Sequence, residues 1–442
     1  MQAGKRSPLL VIFLTVFIDL LGFGIVLPLL PRYAAFLQIG KGVSESSEAV
    51  RETRDAGSDS SGDAQANVGS RPRPGRKLSK SENAIIGLLM SSFSAMQFLF
   101  APLWGRISDR IGRRPVLIIG LFCSAVFYGL FSYAIWVRSL ALIFAARIGA
   151  GIAGATIPTA QAFIADSTTE ADRGKGMALI GGAFGIGFTF GPLLGSLWVP
   201  NDATAPPSAA PGIVAAGLSF IAFCLAVVIL PESLRPGKAP RARHWFEIRS
   251  FQTALGLPSV GILLLTFFVA TFAFANFEST LPRLTGDAFG FSDRYNFYLF
   301  AYVGFLLSLA QGLLVRRLLP VLGEVAMTIT GAVLMGCGLL GIGLSAAWQS
   351  VSVAMLALPI AVAGFAALTP SVQSLISRRT PADIQGEVLG VAQSTSSLAR
   401  ILGPFLGNIL YGYDPAHATP YFVGAGVMGI ALLLSLRIGR WR

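Results

Sequence analysis

GRISDRIGRRPV, residues 105–116, sets Arg106, Asp109, Arg110, Arg113 and Arg114 into a short turn between two apolar runs. The runs, at 83–103 and 114–136, are each long enough to cross a bilayer, which takes about 20 mostly apolar residues. Arginines in such a turn hold it on the cytoplasmic side. Gly105 and Gly112 permit a tight turn and close helix approach. Asp109 is the residue that anchoring does not need. It can meet the positive end of a helix dipole in another part of the chain. It can also meet an arginine in one state and lose it in another, a latch with two positions. The plain reading, a topogenic basic loop with a solvated carboxylate, stands beside it.

The rest of the chain extends this pattern. Only 13% of its 442 residues are charged and 53% are hydrophobic, against about 25% charged in a typical soluble protein. Its solvent is therefore a lipid bilayer. The net charge of +12 sits in short clusters between apolar runs, which is membrane topology and not a nucleic-acid face. Cys123, Cys224 and Cys337 lie far apart in apolar runs and suggest neither a metal site nor a disulfide framework. The GAGIAG stretch at 149–154 has a dinucleotide-loop spacing, but no strand precedes it. No G-x-x-x-x-G-K-[ST] loop occurs. The expectation is a non-enzyme without cofactor or metal.

Twelve runs qualify as spans: 9–30, 83–103, 114–136, 139–164, 174–198, 212–230, 257–282, 296–315, 325–346, 350–376, 387–411 and 419–437. All should be helices, because lipid offers no partner for backbone groups. With both termini in the cytoplasm, 20 Lys and Arg fall on that side and three in the short outer segments. Nine more lie between Arg32 and Lys80, and even with those counted outside the orientation holds. The stretch 43–81, rich in Ser, Gly, Asp and Arg, should be a disordered polar insertion.

The chain also repeats itself. Pro158, Gln161, Thr168, Gly174, Gly191, Pro192 and Gly195 meet Pro370, Gln373, Thr380, Gly386, Gly403, Pro404 and Gly407 at a constant offset of 212. LPRY at 30–33 meets LPRL at 281–284 at offset 251, and the polar insertion accounts for the difference. The expected fold is therefore all-α, with twelve transmembrane helices in two pseudo-symmetric six-helix bundles. The expected boundaries are 1–234 for the first bundle, 235–255 for a basic cytoplasmic linker and 256–442 for the second. Paired halves of this kind place the substrate site near the midplane, between them.

Four charges fall inside spans: Asp19, Arg147, Glu278 and Arg400. Each costs about 2.5–3.5 kcal/mol near a helix centre on an insertion scale, so each should have a partner or a task. Asp19, near the middle of span 1, is the candidate proton carrier; the alternative is a fixed ion pair with Arg147. Glu278 is a second proton or cation site, or an interfacial residue in the outer third of span 7. Arg400 is a counter-ion or anion contact, or helix-end packing. In span 5, Gly187, Gly191 and Gly195 recur every four residues, so another backbone can approach that face closely, and Pro192 can bend it.

SAMQFLFAPLWGRISDRIGRRPVL resembles the signature loop of the major facilitator superfamily, in its twelve-span drug–proton antiporter branch related to tetracycline exporters. DLLGFGIVLPLLPRY resembles that branch's first span, RIGAGIAGA its fourth, with Arg147 and Gly151 in the motif positions. GFTFGPLLGS resembles its fifth-span antiporter motif and LPESL the end of its sixth span. The resemblance covers nearly the whole chain. It implies the major facilitator fold, with Gly105, Asp109, Arg110, Gly112, Arg113 and Arg114 as a cytoplasmic latch. It also implies antiport for the Gly187, Gly191, Pro192, Gly195 face. Ser196 replaces the family's second closing glycine. Phe127 stands where tetracycline exporters carry an aspartate, and Pro320 stands opposite Asp109 in the second half; these departures speak against tetracycline itself as the substrate.

The expected function is proton-coupled export of a small amphipathic or aromatic solute by a monomer in the plasma membrane, the inner membrane in a bacterium. Its partners would be the solute, protons and lipid. The rivals are an organic-anion importer or facilitator using Arg147 and Arg400, and a sensor or scaffold that moves nothing.

Overall fold

The computed structural model describes residues 8–37, 78–168, 173–202, 205–234, 252, 254–257, 260–381 and 384–438. Span 1 is α1 (Pro8–Val26), continued by a 3-10 turn and helix to residue 37. Its far end thus runs past the expected residue 30. Spans 2 and 3 are α2 (Lys80–Ile111) and α3 (Arg113–Trp136). Span 4 is α4 (Leu140–Gly154) followed by α5 (Ile157–Ser167), and spans 5 and 6 are α6 (Arg173–Gly195) and α7 (Ala210–Ile229). The second half runs α8 (Val260–Phe289), α9 (Asp293–Leu309), α10 (Arg316–Ala347), α11 (Val351–Arg378), α12 (Gln385–Tyr411) and α13 (Thr419–Ile438). A π-helical turn, Ala310–Val315, joins α9 to α10. The backbone turns at Gly323 (φ 77°), so the start of α10 completes span 8 and the remainder is span 9.

Local chemistry sets these boundaries. Ser79 caps α2 with a reciprocal pair of bonds to Glu82, and Ser292 caps α9 through Tyr295 N. Ser139 and Ser350 cap α4 and α11 in the same way. Gly112, at φ 108°, ends α2 in a conformation unfavourable to any side chain. Span 4 was expected to be continuous and is broken instead. Pro158 cannot donate to the carbonyl of Gly154, and its ring crowds that carbonyl. The freed Gly154 oxygen accepts from Gln97 Nε2 at 3.1 Å, and Ile152 O accepts from Trp104 Nε1 at 2.8 Å.

Among the described residues, ten helices are long and apolar enough to cross a membrane. The other two long ones, α6 and α12, have 23 and 27 residues. At 1.5 Å per residue each exceeds the roughly 30 Å hydrocarbon core. They occupy equivalent places. In the first half span 1 packs on spans 5 and 6, span 3 on 4 and 6, and span 2 on 4. In the second half span 7 packs on 11 and 12, span 9 on 10 and 12, and span 8 on 10. Between the halves, span 2 packs on 11 and span 5 on 8. The same pairs recur, so the repeat in the sequence is a repeat in packing.

The expected insertion at 43–81 lies outside the described residues as far as 77. Its last residues are ordered helix start, since Ser79 is the cap and Lys80 and Ser81 open α2. The expected linker at 235–255 also lies outside them, apart from Gln252, Ala254 and Leu255, which are helical.

The two ends of the molecule differ. At the end away from the chain termini the halves are in contact. A methyl group added to Gly87 of span 2 would stand 2.8 Å from the Phe405 carbonyl of span 11, and one added to Gly195 of span 5 would strike the Phe297 ring of span 8. At the terminus-bearing end, Gly105, Gly182, Gly312 and Gly390, one on each of spans 2, 5, 8 and 11, have nothing among the described residues within 4 Å of such a methyl. The four interface helices therefore meet at the far end and splay at the near end.

Candidate functional site

Asp19 projects from the middle of span 1 and is half-buried. Ser219 of span 6 donates to its Oδ1 at 3.2 Å, and Ser124 of span 3 is a second hydroxyl partner. The Asp19–Arg147 ion pair weighed from the sequence does not form among the described residues. Arg147 is 3% exposed and lies over the face of Phe93, 4.5 Å from its centroid. Its Nε has no hydrogen-bond partner, and no ion pair reaches the guanidinium among the described residues. Tyr128 of span 3 is within electrostatic range of both Asp19 and Arg147. Phe23, one turn beyond Asp19, packs with tilted rings against Phe93 and Phe188, centroids 5.1 and 5.9 Å away. A carboxylate, a buried guanidinium and a wall of phenyl rings thus converge from spans 1 to 6.

The second half has its own charged centre. Glu278 lies inside α8, short of its end at Phe289. Arg400 of α12 is exposed and within electrostatic range of Glu278. Neither makes a hydrogen bond or ion pair among the described residues. Arg283, expected in an outer segment, lies toward the end of α8, stacked 4.1 Å over Tyr411 and donating to Asn408 Oδ1 at 3.0 Å.

The glycine face of span 5 has two destinations. Methyls at Gly187 and Gly191 would stand 2.9 Å from Leu20 Cβ and Gly24 Cα, so this face brings span 5 against span 1 beside Asp19. Gly195 faces the other half at Phe297. Pro192 touches the same place, its ring close to Gly24.

In the opening turn, Asp109 pairs with Arg113 at 2.6 Å, and Arg113 also reaches Asp166 at 3.2 Å. All three belong to the first half. Arg114 donates to Val227 O, whereas Arg110 is exposed. Gly105 faces open space and Gly112 faces Glu232. Sequence reasoning missed Glu232. Its carboxylate accepts from the backbone N–H groups of Arg113 and Arg114 at 2.9 and 3.1 Å, satisfying orphan donors at the positive end of α3. The signal was present in LPESL, a carboxylate closing span 6 beside a helix start. In the second half Glu324, the residue after Gly323, pairs with Arg378 at 3.0 Å. This occupies the place of Arg113–Asp166 with the charges reversed.

At the far end, Arg32 of span 1 pairs with Asp293 of span 8 at 2.6 Å, and Arg294 donates to Val199 O at 3.0 Å. Lys80 of span 2 lies 4.2 Å over Tyr413, just beyond span 11. Each contact joins the two halves.

Two mirrored helical halves around intramembrane charges, joined at one end and apart at the other, define a multi-pass transporter of small solutes and not an enzyme. The Major Facilitator Superfamily model matches residues 12–404 and 327–440, and the chain belongs to that family. It is 32% identical to the human Major facilitator superfamily domain-containing protein 10 over 94% of this chain and 90% of that one. It is 31% identical to the class C tetracycline resistance protein of Escherichia coli, over 80% of this chain and 87% of that one. Among solved structures, the human organic anion transporter MFSD10 superposes with TM-score 0.69 at 27% identity, covering 98% of this chain and all of the other. A D-xylose–proton symporter superposes with TM-score 0.72 at 18% identity, over 99% and 97%, a likeness of fold alone.

Proposed function

We propose that this protein couples proton movement to export of a small amphipathic or aromatic solute by alternating access, with Asp19 as the proton carrier. The observation that carries the proposal is the Asp19 environment: a mid-span carboxylate held by hydroxyls, with no cation bound to it among the described residues. A serine hydroxyl donates to a carboxylate or accepts from a carboxylic acid, so the site suits both protonation states. A fixed ion pair would hold only one. The proton then supplies the differential interaction that alternation requires. The termini lie in the cytoplasm of a cell whose plasma membrane holds the protein, which makes the splayed end the inner one. The tetracycline resistance relatives favour export.

The test is proton flux in proteoliposomes with a preset pH gradient. Wild type is expected to release protons when solute is added, and Asp19→Asn to lose that coupling while still exchanging solute down its gradient. Uphill transport by Asp19→Asn would overturn the assignment. A second reading, an importer or facilitator of organic anions, is favoured by the buried Arg147, whose Nε has no hydrogen-bond partner among the described residues, and by the description of the human relative as an organic anion transporter. Vesicles of known orientation separate the two by the direction of proton flux.

A further inference from the structure

Span 3 places Ser124 and Tyr128 one helical turn apart, on one face. Ser124 is already a partner of Asp19. Tyr128 is 5% exposed, and the coupling reading gives it no task. A methyl built on Gly22, three residues beyond Asp19, would stand 3.4 Å from Tyr128 Cε2 and 3.5 Å from Ser219 Oγ. Cε2 adjoins the carbon that bears the hydroxyl, so the phenol lies beside the serine that donates to Asp19. On its other flank span 3 meets span 4. Phe127, the neighbour of Tyr128, occupies the space over Gly149, two residues beyond Arg147. Tyr128 is thus set between the carboxylate and the guanidinium, within electrostatic range of both. Span 5 meets span 1 here through glycines and span 2 through Phe93. Asp19, Tyr128 and Arg147 are therefore the charged and titratable groups of this cluster among the described residues, with Ser124 and Ser219 as its hydroxyls.

Two polar ends of the cluster are left open. The Tyr128 hydroxyl makes no hydrogen bond among the described residues, and neither does Arg147 Nε. A buried donor without an acceptor is costly, so a state that joins the two is favoured. A phenol can accept and donate at once. Arg147 can donate to Tyr128 Oη while the hydroxyl donates to Asp19, a chain with an ion at each end. That strength lasts only while Asp19 is ionised, because a carboxylic acid brings no charge to the bond.

We propose that Tyr128 is the positioning residue that reports the charge of Asp19 to Arg147: its hydroxyl bridges the two while the carboxylate is ionised and lets Arg147 go when Asp19 takes a proton. The tyrosine keeps its own proton throughout, and only hydrogen bonds are exchanged. Arg147 lies over Phe93, which also packs against Phe23. Its release therefore reaches span 2, one of the helices on which the two halves meet. This deepens the coupling reading given above and rests on it.

The experiment follows the near-end opening of the full chain in nanodiscs as the medium is taken from acid to alkaline, with no solute present. Nitroxide labels at Ile111→Cys and Val321→Cys, exposed near-end positions in opposite halves, report it once Cys123, Cys224 and Cys337 are replaced by serine. Wild type is expected to change its ratio of open to closed populations about tenfold or more between the two media, as a hydrogen bond to a charged group warrants. Asp19→Asn should abolish that change. Tyr128→Phe keeps the ring, removes only the hydroxyl, and should flatten the response as well. A tyrosine that merely packs span 3 against spans 1 and 6 predicts a wild-type pH response in Tyr128→Phe, and that result would overturn the proposal. Should Tyr128→Phe fail to fold, Arg147→Met decides: it removes the donor at the other end of the chain, and a wild-type response there overturns the proposal equally. No pH response in wild type, or one that Asp19→Asn leaves intact, sinks the coupling reading and this inference with it. A response that depends on Asp19 and survives in Tyr128→Phe sinks this inference alone.

Discussion

At the scale of single residues, side-chain volume controls how Asp19 is held. Gly191 meets the backbone of span 1 at Leu21 and Gly24, where an added methyl stands 2.9 Å from both Leu21 O and Gly24 Cα. Backbone cannot step aside as a flexible side chain would. Overpacking of this kind costs about 1–3 kcal/mol, and here it also separates the proton carrier's helix from span 5. Gly191→Leu is expected to lower the thermal midpoint in detergent and to abolish solute-driven proton flux. Gly182→Leu, where nothing lies within 4 Å, should do neither. Equal behaviour of the two variants would remove the packing explanation. What the sequence made legible here was the stripe and the four charges. It could not say that hydroxyls, and not Arg147, partner Asp19, because Ser124 and Ser219 are two among many serines and only the fold brings them to one carboxylate.

At the scale of elements, apolar length fixes where a helix crosses, and local hydrogen bonding fixes where it begins and breaks. The first was readable; the second was partly hidden. Span 1 continues to residue 37 because Leu29, Leu30, Tyr33 and Ala34 remain in the core, although Arg32 looked like an end. Span 4 breaks at Pro158, visible as a residue but not as a break, since proline also sits inside α8, α11 and α12. The turn into α13 shows the same local control. Asp414 accepts from the N–H groups of Ala416, Ala418 and Thr419 at 2.9–3.2 Å. Partial burial opposes its charge, but those bonds prevail and hold its carboxyl below the ordinary range. A carboxyl that titrates lower folded than unfolded contributes fully above the ordinary value of about 3.9. That contribution fades as pH falls through the lowered folded value. Asp414→Asn should therefore cost about 1 kcal/mol at neutral pH. The difference from wild type in thermal midpoint should narrow as the medium is acidified through that range. A gap independent of pH would show that the charge is not the cause.

At the scale of the whole molecule, the two halves share one packing scheme and differ in the charges placed on it. The repeat was legible because glycines and prolines kept its register at a constant offset of 212. The charge differences were legible only as departures, such as Pro320 opposite Asp109. With the fold in place they form a pattern. Arg113–Asp166 in one half answers Glu324–Arg378 in the other, so the pseudo-two-fold axis relates opposite signs at the near end, and approach of the halves there meets attraction. At the far end, among the described residues, Arg32 of span 1 reaches Asp293 at the start of span 8, whereas Lys80 at the start of span 2 rests on Tyr413. The Arg32–Asp293 pair, with its carboxylate side chain 3% exposed, is thus a contact that far-end opening must break. Its loss is worth on the order of 1–3 kcal/mol, about five- to 150-fold in the ratio of two states. Nitroxide labels at Trp136→Cys and Trp348→Cys, exposed far-end positions in opposite halves, can read the change once Cys123, Cys224 and Cys337 are replaced by serine. Asp293→Asn should add a longer-distance population that the wild type lacks. Exchanging the partners, Arg32→Asp with Asp293→Arg, should restore the short one. An unchanged distance distribution in Asp293→Asn would place the control of opening elsewhere on that face, with Lys80 and Tyr413 the next contact to break.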